Sequence, residues 1–327
     1  MRFTALWIVK KWAGGEKIIE NSILTEEQIK EIDEKYPHLK DSDVIEDLGR
    51  YEMISGQNNL IIGEFSNREQ LIEISNQISD IQQEFNKLKV MYKIFISDVF
   101  DFLKLSSELE EKEKKIDEFD VNRFMMHLLS SGKLFIDFAE NQIKIKHKQE
   151  FEKFHKLTSQ QYDNSFAYRL CYNLRNFSQH VGIPISALHK KQDYVDDEKV
   201  IISLLIEKDY LLNSSFNWKK MRAEIEARND IDAVELVKSY MKAITILYGE
   251  YNKFLLNIHH RNLMNLKLSL ENFGLVHRKY CIVERTKYNL KYDPANITTR
   301  PLLGLADIDA IYVHLSEIGI VKIVNKE

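Results

Sequence analysis

Seven polar side chains in one short stretch could do chemistry together: Arg169, Tyr172, Asn173, Arg175, Asn176, Gln179 and His180. Wound as a helix at about 100° per residue, Arg169, Asn173, Asn176 and His180 fall within about 60° of one another, and Tyr172, Arg175 and Gln179 form an adjoining stripe. Phe166, Leu170, Leu174, Phe177 and Val181 fall within one arc of about 80°, the expected core face. A helix that needed only solubility would carry Lys and Glu on its outer side, whereas this one carries groups that donate, accept and transfer protons. An imidazole titrates near neutrality, and a guanidinium binds an oxyanion through two parallel donors. The plainer alternative is that Arg175 and His180 are surface cations favoured by the negative end of a helix dipole.

Spacing sharpens the question. Asn176 and His180 are i and i+4 neighbours, but Arg175 and His180 diverge by about 140° on a regular helix. Two routes can bring them to one atom: the helix end distorts at the stop signal Gly182-Ile183-Pro184, or two copies of the stretch face each other across an interface.

The elements that must position these groups are mostly helical. The chain has 11 Gly and 4 Pro in 327 residues and is rich in Leu, Ile, Lys and Glu, which predicts a mainly α protein. Residues 1–63 read as a small α+β region, with strand-like runs at Phe3–Val9 and Leu60–Ile62 and a helical pattern at Thr25–Tyr36. Residues 64–275 read as a helical domain. In it, Ser66 and Glu69 resemble a capping box before an amphipathic pattern that continues to about Asp117, one long helix or two abutting ones, with the charge block Glu110–Lys115 marking a solvated helix end. A second helix spans Val121–Gln149 and carries Ser130-Ser131-Gly132, small residues that admit a neighbouring backbone or weaken the helix. A third begins near Thr158 and carries the polar stretch in its last turns. Lys199–Leu212 then reads as an apolar strand, Trp218–Arg228 as a short helix and Asp232–Phe273 as a long one. Residues 276–327 read as a mixed extension, with Ile308–Leu315 and Ile318–Ile323 rich in β-branched residues.

Composition excludes several classes. Cys171 and Cys281 are too few and too isolated for a disulfide framework or a zinc knuckle, which fits a reducing cytoplasm. The opening apolar run is interrupted by Lys10 and Lys11, too short for a signal peptide or membrane span, so no membrane association is expected. There is no H-E-x-x-H, Walker loop, G-x-G-x-x-G or paired C-x-x-C, so no metal or cofactor is expected. His259-His260 point about 100° apart on a helix and do not readily share an ion. The net charge of −4 argues mildly against tight, indiscriminate binding to a phosphate backbone, although Lys144, Lys146, His147 and Lys148 form a local basic cluster or simply a solvated helix end.

The stretch Arg175-Asn176-Phe177-Ser178-Gln179-His180 resembles the R-x-x-x-x-H motif of HEPN (higher eukaryotes and prokaryotes nucleotide-binding) ribonucleases, in the form where a polar residue follows the Arg. The segment Leu129–Asp137 resembles the partner helix of abortive-infection members, and the resemblance covers about residues 67–260. It implies a helical bundle with small mixed extensions at both ends. It also implies a metal-independent endoribonuclease that lets the RNA 2′-OH attack the phosphate, leaving a 2′,3′-cyclic phosphate and a 5′-OH. Arg175, His180 and Asn176 would be the catalytic residues, and Arg169, Tyr172, Asn173 and Gln179 would bind substrate. Asp137 and Glu140 are candidates for fixing Arg175 or His180, or for ordinary surface ion pairs. The partners implied are RNA, a second copy completing the site, and an antitoxin or sensor protein. A noncatalytic module that binds RNA, a nucleotide or a protein is the alternative, distinguished by binding without cleavage.

Overall fold

A computed structural model describes residues 7–10, 26–35, 37, 38, 40, 44–54, 57–62, 68–108, 118–192, 200–273, 280–286 and 298–322. The fold is mainly α with small antiparallel sheets. In chain order the elements are β1 (Trp7–Lys10), α1 (Glu26–Lys35), β2 (Val44–Ile54), β3 (Gln57–Ile62), α2 (Arg68–Glu108), α3 (Glu118–Lys146), α4 (Phe151–Asn164) and α5 (Phe166–His180). These are followed by β4 (Ala187–Gln192), β5 (Val200–Ile206), α6 (Lys208–Leu212), α7 (Met221–Glu226), β6 (Ile231–Asp232), α8 (Ala233–Asn272), β7 (Tyr280–Thr286), β8 (Thr298–Pro301) and α9 (Leu305–Glu317). The capping residues expected at Ser66, the charge block Glu110–Lys115, the first part of the Phe3–Val9 run and Ile323 lie outside the described residues.

The chain divides into two compact units, residues 1–82 with 259–314 and residues 83–258 with 315–327. The first is built on a five-stranded antiparallel sheet in the order β1-β3-β2-β7-β8. Its central pairing sets Val44 opposite Thr286 and Arg50 opposite Tyr280, so the two ends of the chain that read as separate extensions share one sheet. No local sequence signal couples strands so far apart; the pairing follows from burying Leu48, Cys281, Ile282 and Val283 together with Leu71, Ile74 and Ile78 of α2. Arg300 ties the sheet down with bonds of 2.6 Å to Glu46, 3.1 Å to Glu284 and 3.0 Å to Asn76.

The last helix departs from the β-branched reading of Ile308–Leu315. It is α9, with Ile308, Ile311 and Leu315 buried at helical spacing and Asp307 accepting the Gly304 N–H at 2.7 Å near its start.

The second unit is a helical assembly with a small sheet, β4-β5-β6. The expected third helix is two: Ser165 breaks it in an extended conformation, and its hydroxyl accepts the Tyr168 N–H at 3.2 Å, an N-cap that starts α5 afresh. The strand expected over Lys199–Leu212 stops at Ile206, because Asp230 accepts the Lys208 N–H at 3.1 Å and caps the turn that becomes α6. Gly132 on α3 is a point of close approach. A methyl group there would lie 2.9 Å from two ring carbons of the fully buried Tyr240 on α8.

Candidate catalytic helix

Helix α5 is amphipathic in the way its sequence predicts, with Leu170, Leu174 and Phe177 fully buried. Phe177 anchors its end in an aromatic cluster with Tyr210, Phe216 and Trp218, at centroid distances of 5.5–5.9 Å. Val181 differs: it lies just past the helix at φ −130° and is 39% exposed, so it does not extend the core face. Gly182 is useful for its missing side chain, since a methyl there would run into the Tyr210 hydroxyl and come within 3.1 Å of Phe177.

The polar residues fall into two groups. Arg169 and Asn173 are engaged in holding elements together. The Arg169 guanidinium donates to the carbonyls of Tyr162 (2.7 Å) and Asp163 at the end of α4, and to Glu224 of α7 at 2.6 Å. Asn173 donates to the Arg169 carbonyl at 2.8 Å and to the Tyr162 hydroxyl at 3.5 Å. A cation on two terminal carbonyls complements the negative end of α4 as well as the carboxylate. Arg169→Ala should therefore cost about 2 kcal/mol, a melting-point drop on the order of 4–8 °C by differential scanning calorimetry. An unchanged melting point would show that the three contacts add nothing.

The second group runs from Tyr172 to His180. Tyr172 packs edge-to-face on Tyr162 at 5.8 Å, and the Lys133 ammonium of α3 lies 5.0 Å from its ring centre. Arg175 is half-buried, and among the described residues its one side-chain hydrogen bond is Nη1 to Asn176 Oδ1 at 3.2 Å; its Nε is buried without a partner. Gln179 and His180 are exposed and make no side-chain hydrogen bond among the described residues.

Helix α5 stays α-helical through His180, with the Val181 N–H bonded to the Phe177 carbonyl at 2.8 Å. The end does not distort in a way that would turn Arg175 toward His180, so within one chain the two leave the helix about 140° apart. Asn176, one turn before His180, accepts from Arg175 and shares the His180 side of the helix.

The acids on α3 are occupied elsewhere. Asp137 pairs with Lys133, and Glu140 accepts from Thr158 at 2.6 Å and lies 3.2 Å from His155 Nδ1. These bonds fit the ordinary ion-pair alternative for the two carboxylates. Burial pushes the Cys171 thiol well above its usual range, as it does the Tyr168 and Tyr240 hydroxyls, so none is set up as a nucleophile or acid near neutrality.

Of the basic cluster at the end of α3, Lys146 (3.1 Å) and His147 (2.7 Å) both contact the buried Glu84 of α2. That arrangement went unseen in the sequence because Glu84 reads as one more surface carboxylate. His260 in the first unit lies 3.1 Å from the Tyr312 hydroxyl.

No protein-family model, no curated protein and no solved structure matches the chain.

Proposed function

We propose that this protein is a metal-independent endoribonuclease of the HEPN type, with Arg175 and His180 as its catalytic pair. The observation that carries this reading is the state of the motif: at the last turns of a well-anchored helix, His180 is exposed and, among the described residues, Arg175 spends its donors on one hydrogen bond. A purely structural arginine would spend them as Arg169 does.

In the reaction, the RNA 2′-oxygen bonds to the adjacent phosphorus and the bond from phosphorus to the 5′-oxygen breaks. A base removes the 2′-OH proton and an acid delivers one to the leaving oxygen. His180 is suited to either proton transfer. Arg175, held by Asn176, would bind the non-bridging oxygens and stabilise their charge in the transition state. Because Arg175 and His180 leave α5 on different sides, the working site is read as composite, with Arg175 of one copy and His180 of a second copy on the same phosphate. Tyr172 and Gln179 flank that phosphate. A role as the toxin of a pair, or in antiviral abortive infection, rests on the family resemblance alone, as does an antitoxin or sensor partner.

Complementation tests the composite site. Arg175→Ala and His180→Ala proteins, each inactive, should regain a substantial fraction of the wild-type rate when co-refolded, because the mixed dimer holds one intact pair. Activity in the mixture no higher than in either parent would rule out sharing across copies. Cleavage should persist in EDTA, and its loss on chelation would end the metal-free assignment.

The second reading, binding of RNA without cleavage, is favoured by the divergence of Arg175 and His180 within one chain. It predicts that the wild type retains labelled RNA intact.

A further inference from the structure

Tyr210 of α6 stands beside the motif histidine without belonging to its helix. Its ring meets Phe177 edge-on at 5.9 Å, and its hydroxyl lies where a methyl group on Gly182 would run into it. Phe177 precedes His180 by three residues, a neighbour along the surface of α5, and Gly182 follows it by two. Contacts on both sides of His180 in the chain lay the tyrosine along the end of the helix. Because its hydroxyl all but touches the place of a Gly182 Cβ, that oxygen is at most about 11 Å from the His180 Cα. An imidazole and one phosphate, hydrogen-bonded to both groups, span such a gap.

The hydroxyl is spare. Tyr210 is 37% exposed, and among the described residues its side chain makes no hydrogen bond. Other tyrosines spend theirs on a neighbour: Tyr92 on Thr245 at 2.9 Å, Tyr162 on Asn173 at 3.5 Å and Tyr312 on His260 at 3.1 Å. Packing on Phe177 asks only for a ring, which Phe would supply, whereas the room that Gly182 leaves is taken by the oxygen. The element that carries Tyr210 is also fixed, since the Trp218 indole N–H donates to the Leu211 carbonyl at 2.8 Å and its ring packs on Phe177 at 5.5 Å.

We infer that the Tyr210 hydroxyl donates a hydrogen bond to a non-bridging oxygen of the phosphate that His180 attends. The inference rests on the ribonuclease reading and adds a donor from outside the motif. A phenolic O–H is a donor without a full charge, and one held in place before the reaction counts most when negative charge builds on that oxygen as the 2′-oxygen attacks. It belongs to the copy that supplies His180, so the phosphate has a donor there as well as the Arg175 of the other copy.

Tyr210→Phe keeps the ring and removes the oxygen. In single-turnover cleavage of a single-stranded RNA in EDTA, it should lower the rate at saturating protein by about 10²-fold and change half-saturation by less than about twofold. Its melting point should match the wild type, because the hydroxyl bonds nothing in the fold among the described residues. Gly182→Ala, which pushes the hydroxyl aside, should also slow cleavage, and the double variant should be no slower than Tyr210→Phe alone.

A Tyr210→Phe protein that cleaves at the wild-type rate overturns the assignment and leaves the ribonuclease reading standing. The same holds for a loss confined to half-saturation, which puts the hydroxyl on another part of the strand, and for a loss that comes with a lowered melting point, which makes its role structural. Losses that simply multiply in the double variant overturn it as well. If the wild type does not cleave, both readings fall.

Discussion

Replacing Arg175 or His180 by Ala should each lower metal-free cleavage of single-stranded RNA by about 10²–10⁴-fold, the range expected for a lost acid–base group or a lost charge stabiliser. Neither change should unfold the protein. His180 is exposed, and the one side-chain hydrogen bond of Arg175 among the described residues is to its sequence neighbour Asn176. Melting points should therefore stay within a few degrees of wild type, which separates this result from one caused by misfolding. Arg175→Lys should recover little of the rate, because a point-charge ammonium cannot make two parallel bonds to a phosphate. Asn176→Ala should fall between wild type and the Arg175 variant, since it removes an orienting bond and leaves the charge. The measurement is single-turnover cleavage of an end-labelled oligonucleotide in EDTA. Both alanine variants retaining wild-type rates would sink the assignment.

The second large effect is on stability. Gly132→Ala should destabilise the second unit by about 1–3 kcal/mol, the cost of forcing an extra carbon into a packed core. The new methyl would sit 2.9 Å from two ring carbons of Tyr240, nearer still to its hydroxyl, and Tyr240 is 2% exposed with no open side to move into. Helix propensity works the other way: Ala is favoured over Gly by about 1 kcal/mol inside a helix, so a net loss can come only from the clash. Tyr240→Phe removes the nearest atom and should restore part of the lost stability, a coupling that a double-mutant cycle reads directly. Chemical denaturation of the four proteins checks it. A stabilised Gly132→Ala variant would mean that α3 and α8 separate at no cost.

How much of this was legible beforehand depends on the range of each interaction. The core face of α5, its polar stripe and its stop before Gly182 depend on neighbours a few residues away, and helical periodicity reports them. The break at Ser165 was also local, a serine N-cap that an uninterrupted apolar pattern hid. The turn that ends β5 depends on Asp230, more than twenty residues further on, and no window over Lys199–Leu212 contains it. Glu84 is the sharpest case on the side-chain level. In sequence it is one acid among many on a long helix, and only folding buries it against Lys146 and His147.

The sequence by itself determined that this is a mainly helical chain and that one short helix carries Arg175, Asn176 and His180 at its end. Those properties follow from composition and the 3.6-residue period. The regular helix end that keeps Arg175 and His180 apart came from the structure. Only the tertiary structure decided that the two ends of the chain share one sheet. It likewise decided that Arg169 braces α4 and α7 and that Asn173 reaches the Tyr162 hydroxyl of α4, while Arg175 makes one side-chain hydrogen bond and His180 none among the described residues, and that Gly132 and Gly182 are there to admit tyrosines. Each of these depends on which distant groups arrive to accept a hydrogen bond or fill a space, and a periodic pattern along one segment carries no record of its partners.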